Sequence, residues 1–282
     1  MGNRSWQGRS GDVDPYGLSP ASGRLYLAGA FVAGAAVGVL GGMIGLGGAE
    51  FRLPLLIGVF GFVALQAVVL NKAMSLIVVA TALPARLMSV PMSDVLPHLS
   101  VAANLLGGSL LGAWVGATWA TRMRSSTLYK VLALLLVLIA ITLLFSHFGQ
   151  VGQWDLGPAT RVVAGLVAGF GIGVVAALMG VAGGELLIPT IVLLYGLDVR
   201  IAGSLSLAVS LPTMLVAFAR YSRDRSFVVL RHNGRFVAAM AAGSVVGSVL
   251  GGILLGVVSD MVLIPLLALL LVLSSIKVWR HE

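Results

Sequence analysis

Two acids, one arginine and a doubled cluster of glycines are the residues of this chain best placed to do chemistry. Glu50 and Arg52 follow Gly45, Gly47 and Gly48 and precede Pro54; Glu185 follows Gly180, Gly183 and Gly184 and precedes Pro189. At an offset of 135 residues, Gly45, Gly48, Glu50 and Pro54 fall on Gly180, Gly183, Glu185 and Pro189, whereas Arg52 meets Leu187. Adjacent glycines beside a proline break the hydrogen-bond ladder of a helix, and at membrane depth such backbone is tolerated only where it is buried or lines a cavity. The break frees amides at the positive end of the helix that restarts, which suits an anion.

The candidate substrate-binding residues are therefore Gly45, Gly47, Gly48, Arg52, Asn71, Ser75, Gly180, Gly183, Gly184, Ser204 and Ser206. Asn71 and the three serines are donors on the segments that follow each break, although hydroxyls in membrane helices commonly bond to their own backbone. Arg52 reads either as a partner for Glu50 or as the charge that attracts the anion. Glu50 and Glu185 have two readings of equal weight: gating or proton coupling, and plain capping of the restarting helix.

The elements that must position these groups are membrane helices. Of 282 residues, 59% are hydrophobic and 10% charged, with a mean hydropathy of +1.04, against about 25% charged in soluble domains. The apolar runs are long and do not alternate, so they span as helices and not as a β-barrel. At roughly 20 residues per span, the expected fold is an all-α, polytopic membrane helical bundle of about 8–10 segments. No cysteine is present, which excludes disulfides and thiolate chemistry. No Ser–His–Asp set, P-loop or metal-ligand spacing stands in a usable context, so neither an enzyme nor a cofactor is expected. The net charge of +8 reads as an orientation signal, not as a nucleic-acid surface.

The chain divides into a polar, cytoplasmic tail (1–23), a first membrane repeat (24–148), a junction (149–158) and a second repeat (159–282). Gly108, Gly112 and Gly116 align with Gly243, Gly247 and Gly251 at the same offset, and Ser75–Leu76 aligns with Ser206–Leu207 once four residues are dropped. Such recurrence marks an internal duplication. The four-residue glycine spacings, Gly34–Gly38 included, read as helix-packing contacts. Asn71–Lys72 reads as an interruption between the apolar runs Leu53–Leu70 and Ala73–Leu87, with Asp198–Arg200 its counterpart.

An odd number of crossings per half gathers Arg4, Arg9, Arg24, Lys72, Arg122, Arg124, Lys130, Arg220, Arg223, Arg225, Arg231, Arg235, Lys277 and Arg280 on the cytoplasmic side. Only Arg52, Arg86, Arg161 and Arg200 remain elsewhere, so the positive-inside rule favours this parity, with both termini cytoplasmic. The halves are then inverted repeats with interrupted helices, an arrangement common in secondary transporters. Five crossings per half and three crossings plus a re-entrant hairpin share that parity; the short Leu186–Leu197 stretch argues that one piece in each half stops short.

The doubled element Gly45–Leu46–Gly47–Gly48–Ala49–Glu50…Pro54 and Gly180–Val181–Ala182–Gly183–Gly184–Glu185…Pro189, with the helices carrying Ser75–Leu76 and Ser206–Leu207, resembles the sulfite exporter family TauE/SafE over about residues 24–279. The resemblance implies a bacterial inner-membrane transporter of small sulfur-containing anions such as sulfite, thiosulfate or sulfonates. Met74 and Leu205 stand where family members commonly carry threonine, which leaves the identity of the anion open. The function expected is export by alternating access; the alternatives are an anion channel and an importer of a small organic anion. Its partners would be the anion, the lipid bilayer, a coupling proton or cation, and further copies of the chain; nucleic acid is not expected.

Overall fold

The computed structural model describes residues 24–44, 48–89, 91–148, 156–254 and 260–280. The tail 1–23, Gly45, Gly47 and most of the junction lie outside the described residues. The regular elements among them are all helical, as expected for a chain whose backbone must satisfy itself inside a bilayer. The first half contributes α1 (Arg24–Ile44), α2 (Ala49–Gly58), α3 (Ala64–Ser89), the single turn α4 (Met92–Val95), α5 (Leu99–Arg122) and α6 (Ser125–Phe148). The second contributes α7 (Pro158–Met179), α8 (Gly184–Tyr195), α9 (Val199–Tyr221), the short α10 (Val228–His232), α11 (Gly234–Ile253) and α12 (Asp260–Trp279). Seven helical stretches are long and apolar enough to cross a membrane, and α8 is a shorter apolar helix.

Side-chain contacts fix which helix ends lie together. At one end of the bundle, Tyr26 at the start of α1 stacks with Phe60 beyond α2 and with Phe236 at the start of α11. The Ala64 amide at the start of α3 donates to Tyr129 Oη near the start of α6 at 3.1 Å, and Lys130 lies over the ring of Trp279 at the end of α12. Arg220 Nε, at the end of α9, donates to Thr118 Oγ1 near the end of α5. At the opposite end, Asn104 Nδ2 near the start of α5 donates to the Val162 carbonyl near the start of α7 and to Tyr195 Oη at the end of α8. Thus α1–α2 leaves from and returns to the first end, and α7–α8 does the same from the second. Each half is a hairpin plus three long helices, α3, α5 and α6 in one and α9, α11 and α12 in the other.

The halves interlock through their glycines. A Cβ on Gly34, Gly38 or Gly42 of α1 would strike the backbone of α11 at Met240, Ser244 or Ser248, so these helices run parallel and nearly in backbone contact. Gly108, Gly112 and Gly116 of α5 meet Leu166, Phe170 and Val174 of α7 in the same way. Small residues permit this approach, and dispersion between the surfaces replaces the hydrophobic drive that lipid removes. Each hairpin is therefore clasped by a helix of the other half.

Two expectations need correction. Helix α3 runs unbroken from Ala64 to Ser89, so Asn71–Lys72 interrupts nothing; the counterpart at Asp198 is a real boundary, with Asp198 Oδ1 capping α9 through the Arg200 amide. Lys72 and Arg52 are both fully buried, so neither belongs in a count of loop cations.

Candidate functional site

The two hairpin tips meet in the middle of the bundle. Each turns on glycines in the left-handed region: Gly48 at φ 70° in the first, Gly180 at φ 72° and Gly183 at φ 86° in the second. Gly180 is needed twice over, because a Cβ there would also collide with the Val68 carbonyl and crowd the Lys72 amide. Helix α3 consequently lies against the second tip, and its polar residues face both breaks.

Asn71 joins the tips. Its Nδ2 donates to the Ala49 carbonyl of the first at 3.0 Å and to the Met179 carbonyl of the second at 3.1 Å. Its Oδ1 accepts from Arg52 Nη1 at 3.4 Å, and the same nitrogen donates to Ser75 Oγ at 3.4 Å. One turn of α3 thus holds the Arg52 guanidinium by a single nitrogen. Arg52 Nε and Nη2 have no hydrogen-bond partner among the described residues.

Lys72 serves the second break alone. Its Nζ donates to the Ala176 carbonyl at 2.8 Å and the Val181 carbonyl at 2.6 Å, on either side of the point where α7 ends. Glu50 and Glu185, each at the start of its restarting helix, interact electrostatically with one another, Glu50 also with Arg52 and Glu185 also with Lys72. The two carboxylates face each other, and no other side chain among the described residues supplies either with a hydrogen bond. Two acids and two bases thus share one buried cluster, with Glu50, Arg52, Asn71 and Lys72 at 0% exposure.

Not every candidate joins it. Ser75 does, at 2% exposure. Ser206, its aligned partner on α9, is buried but donates to the Gly203 carbonyl of its own helix, and Ser204 donates to the Arg200 carbonyl near the second end of the bundle. Gly48, Gly180, Gly183 and Gly184 form the tips; Gly45 and Gly47 lie outside the described residues. Lys72, read from the sequence as a donor beside Asn71 and as a cytoplasmic cation, is instead fully buried at the second break; an ionisable residue in an apolar run by default marks a functional position. Tyr221, fully buried with its hydroxyl on the Ala177 carbonyl at 2.9 Å, is a further support of the α7 break that nothing in its sequence neighbourhood singles out.

The donors are unequally divided. With Ser75 aligned to Ser206, the positions matching Asn71 and Lys72 on α9 are Ala202 and Gly203, and Arg52 is matched by Leu187. All three nitrogen-bearing side chains of the cluster come from the first half. A family model described as sulfite exporter TauE/SafE matches residues 30–278. No curated protein and no solved structure matches the chain.

Proposed function

The chain belongs to the sulfite exporter TauE/SafE family, and we propose that it is a secondary transporter carrying a small sulfur-containing oxyanion out of a bacterial cell across the inner membrane. The observation that carries this reading is the unused edge of Arg52. With Nη1 engaged by Asn71 and Ser75, the partnerless Nε and Nη2 are the two donors on one side of the guanidinium. Each buried donor left unmet costs about 1–3 kcal/mol. An anion with two oxygens on one atom meets both at once through a bidentate, charge-assisted pair, which a spherical halide cannot do. Sulfite, thiosulfate and sulfonates have that shape.

The closed packing around Glu50, Arg52 and Asn71 favours a carrier over a channel, since the cluster lies behind side chains and backbone on all sides. Access would alternate as one interlocked bundle shifts against the other around the tips, the motion common to inverted-repeat carriers. Glu50 and Glu185 are the groups we assign to proton coupling: gain or loss of a proton on either changes the charge that faces Arg52 and Lys72. Efflux also has an electrical drive, an anion leaving a negative interior gaining about 2.3 kcal/mol per charge per 100 mV.

Flux into and out of proteoliposomes tests the reading, with sulfite, thiosulfate, sulfoacetate, sulfate, acetate and chloride as substrates. Saturable movement of at least one sulfur oxyanion with counterflow is expected, with chloride excluded. If no anion moves under any gradient, the transport reading fails; if ions pass at channel rates without counterflow, the carrier reading fails.

A further inference from the structure

We infer that the carbonyl cage at the α7–α8 break is a monovalent-cation site, and that this chain fills it with its own Lys72 ammonium. A helix that stops inside a membrane leaves the carbonyls of its last turn without partners, and their partial negative charge draws a cation. In carriers built on broken helices such ends coordinate a free ion. Here α7 stops at Met179, and the carbonyls on either side of the stop, Ala176 and Val181, both point at Lys72 Nζ. Met179 itself is met by Asn71 and Ala177 by Tyr221, so neighbouring carbonyls have fixed donors and the ammonium is specific to its two. The Glu185 carboxyl interacts electrostatically with the same nitrogen. Val68 and Lys72 can come this near only because Gly180 lacks a Cβ.

The duplication sharpens the point. The position aligned with Lys72 on α9 is Gly203, so the first break receives no cation from the matching place, and the ammonium is an addition to one half. A tethered amine occupies at all times the place that a sodium ion would take only when bound. Where the chain acts as the anion carrier proposed above, this site calls for no sodium, in keeping with the proton coupling assigned there to Glu50 and Glu185.

The test removes the tether and offers a replacement. Lys72→Gly and Lys72→Ala leave the cage empty, Lys72→Met fills the space without charge, and Lys72→Arg keeps a cation. Purified proteins are melted in sodium, potassium or methylammonium chloride at constant ionic strength, balanced with N-methylglucamine. The glycine and alanine variants are expected to melt below wild type and to recover by about 5 °C in a saturable way with one of the three small cations. Wild type, Lys72→Met and Lys72→Arg are expected not to respond.

No saturable rise in a folded Lys72→Gly or Lys72→Ala protein overturns the inference, as does a Lys72→Met protein as stable as wild type. Should the small variants accumulate only when expressed and purified with methylammonium, that rescue counts in favour; failure to accumulate with any of the cations counts against. Wild-type flux in sodium-free proteoliposomes should equal that in sodium, and a sodium requirement overturns the proposal. If wild type moves no anion at all, the transport reading falls while the melting series still decides the cation site.

Discussion

At the scale of single residues, Arg52 and its aligned Leu187 break the symmetry of the two halves. On the transport reading proposed above, the guanidinium held by Asn71 and Ser75 would present a directional fork to the anion. Arg52→Ala is expected to weaken anion affinity by about 3 kcal/mol, roughly 150-fold, since two charge-assisted hydrogen bonds go together. Arg52→Lys retains the charge but not the paired geometry, and should fall about tenfold short of wild type. Both are read as KM in proteoliposome flux; an unchanged KM in Arg52→Ala would remove Arg52 from the substrate site. Glu50 faces both Arg52 and Glu185. Glu50→Gln is expected to abolish the response of flux to an imposed pH gradient while leaving counterflow exchange intact, and a retained response would end its assignment to coupling.

At the scale of elements, the glycines separate two costs that are usually confounded. Gly61 and Gly180 share the left-handed conformation, at φ 73° and 72°, but a Cβ on Gly61 would meet nothing within 4 Å, whereas one on Gly180 would meet the backbone of α3. Gly61→Ala should cost only the conformational term, about 1 kcal/mol. Gly180→Ala must also push α3 away from the tip, withdrawing Asn71 and Lys72 from their carbonyls, and is expected to cost at least about 2 kcal/mol more. Thermal unfolding of the two variants measures the difference; equal losses would mean that α3 does not depend on the close approach.

The tips were legible because Gly45, Gly48 and Pro54 recur 135 residues on as Gly180, Gly183 and Pro189, and the helix contacts because the four-residue spacing of Gly108, Gly112 and Gly116 allows few other uses. The continuity of α3 was not. Asn and Lys side by side in an apolar run look like a loop, and only the distant carbonyls of Ala49, Met179, Ala176 and Val181 make them acceptable inside a helix. Partners more than 100 residues away leave no mark on local pattern, which is also why the role of Lys72 had to come from the fold.

At the scale of the whole molecule, the hairpins opening at opposite ends give the charge distribution a geometric meaning. Among the described residues, Arg24, Arg122, Arg124, Lys130, Arg220, Arg223, Arg225, Arg231, Arg235, Lys277 and Arg280 belong to helix ends and turns at the first end, against Arg86, Arg161 and Arg200 at the second. Removing Lys72 and Arg52 from the loop count therefore leaves the bias as strong as before, and the positive-inside rule predicts that the first end faces the cytoplasm. The absence of cysteine makes this directly measurable, because any thiol label reports only an introduced site. Thr160, exposed in the first turn of α7, and His232, exposed at the end of α10, lie at opposite ends. In intact cells a membrane-impermeant thiol reagent should label Thr160→Cys and spare His232→Cys until the membrane is opened. The reverse pattern would invert the protein. Labelling of both from outside would mean that the two ends do not face opposite sides of one membrane, and that the cluster of Glu50, Arg52, Asn71 and Lys72 does not stand between them.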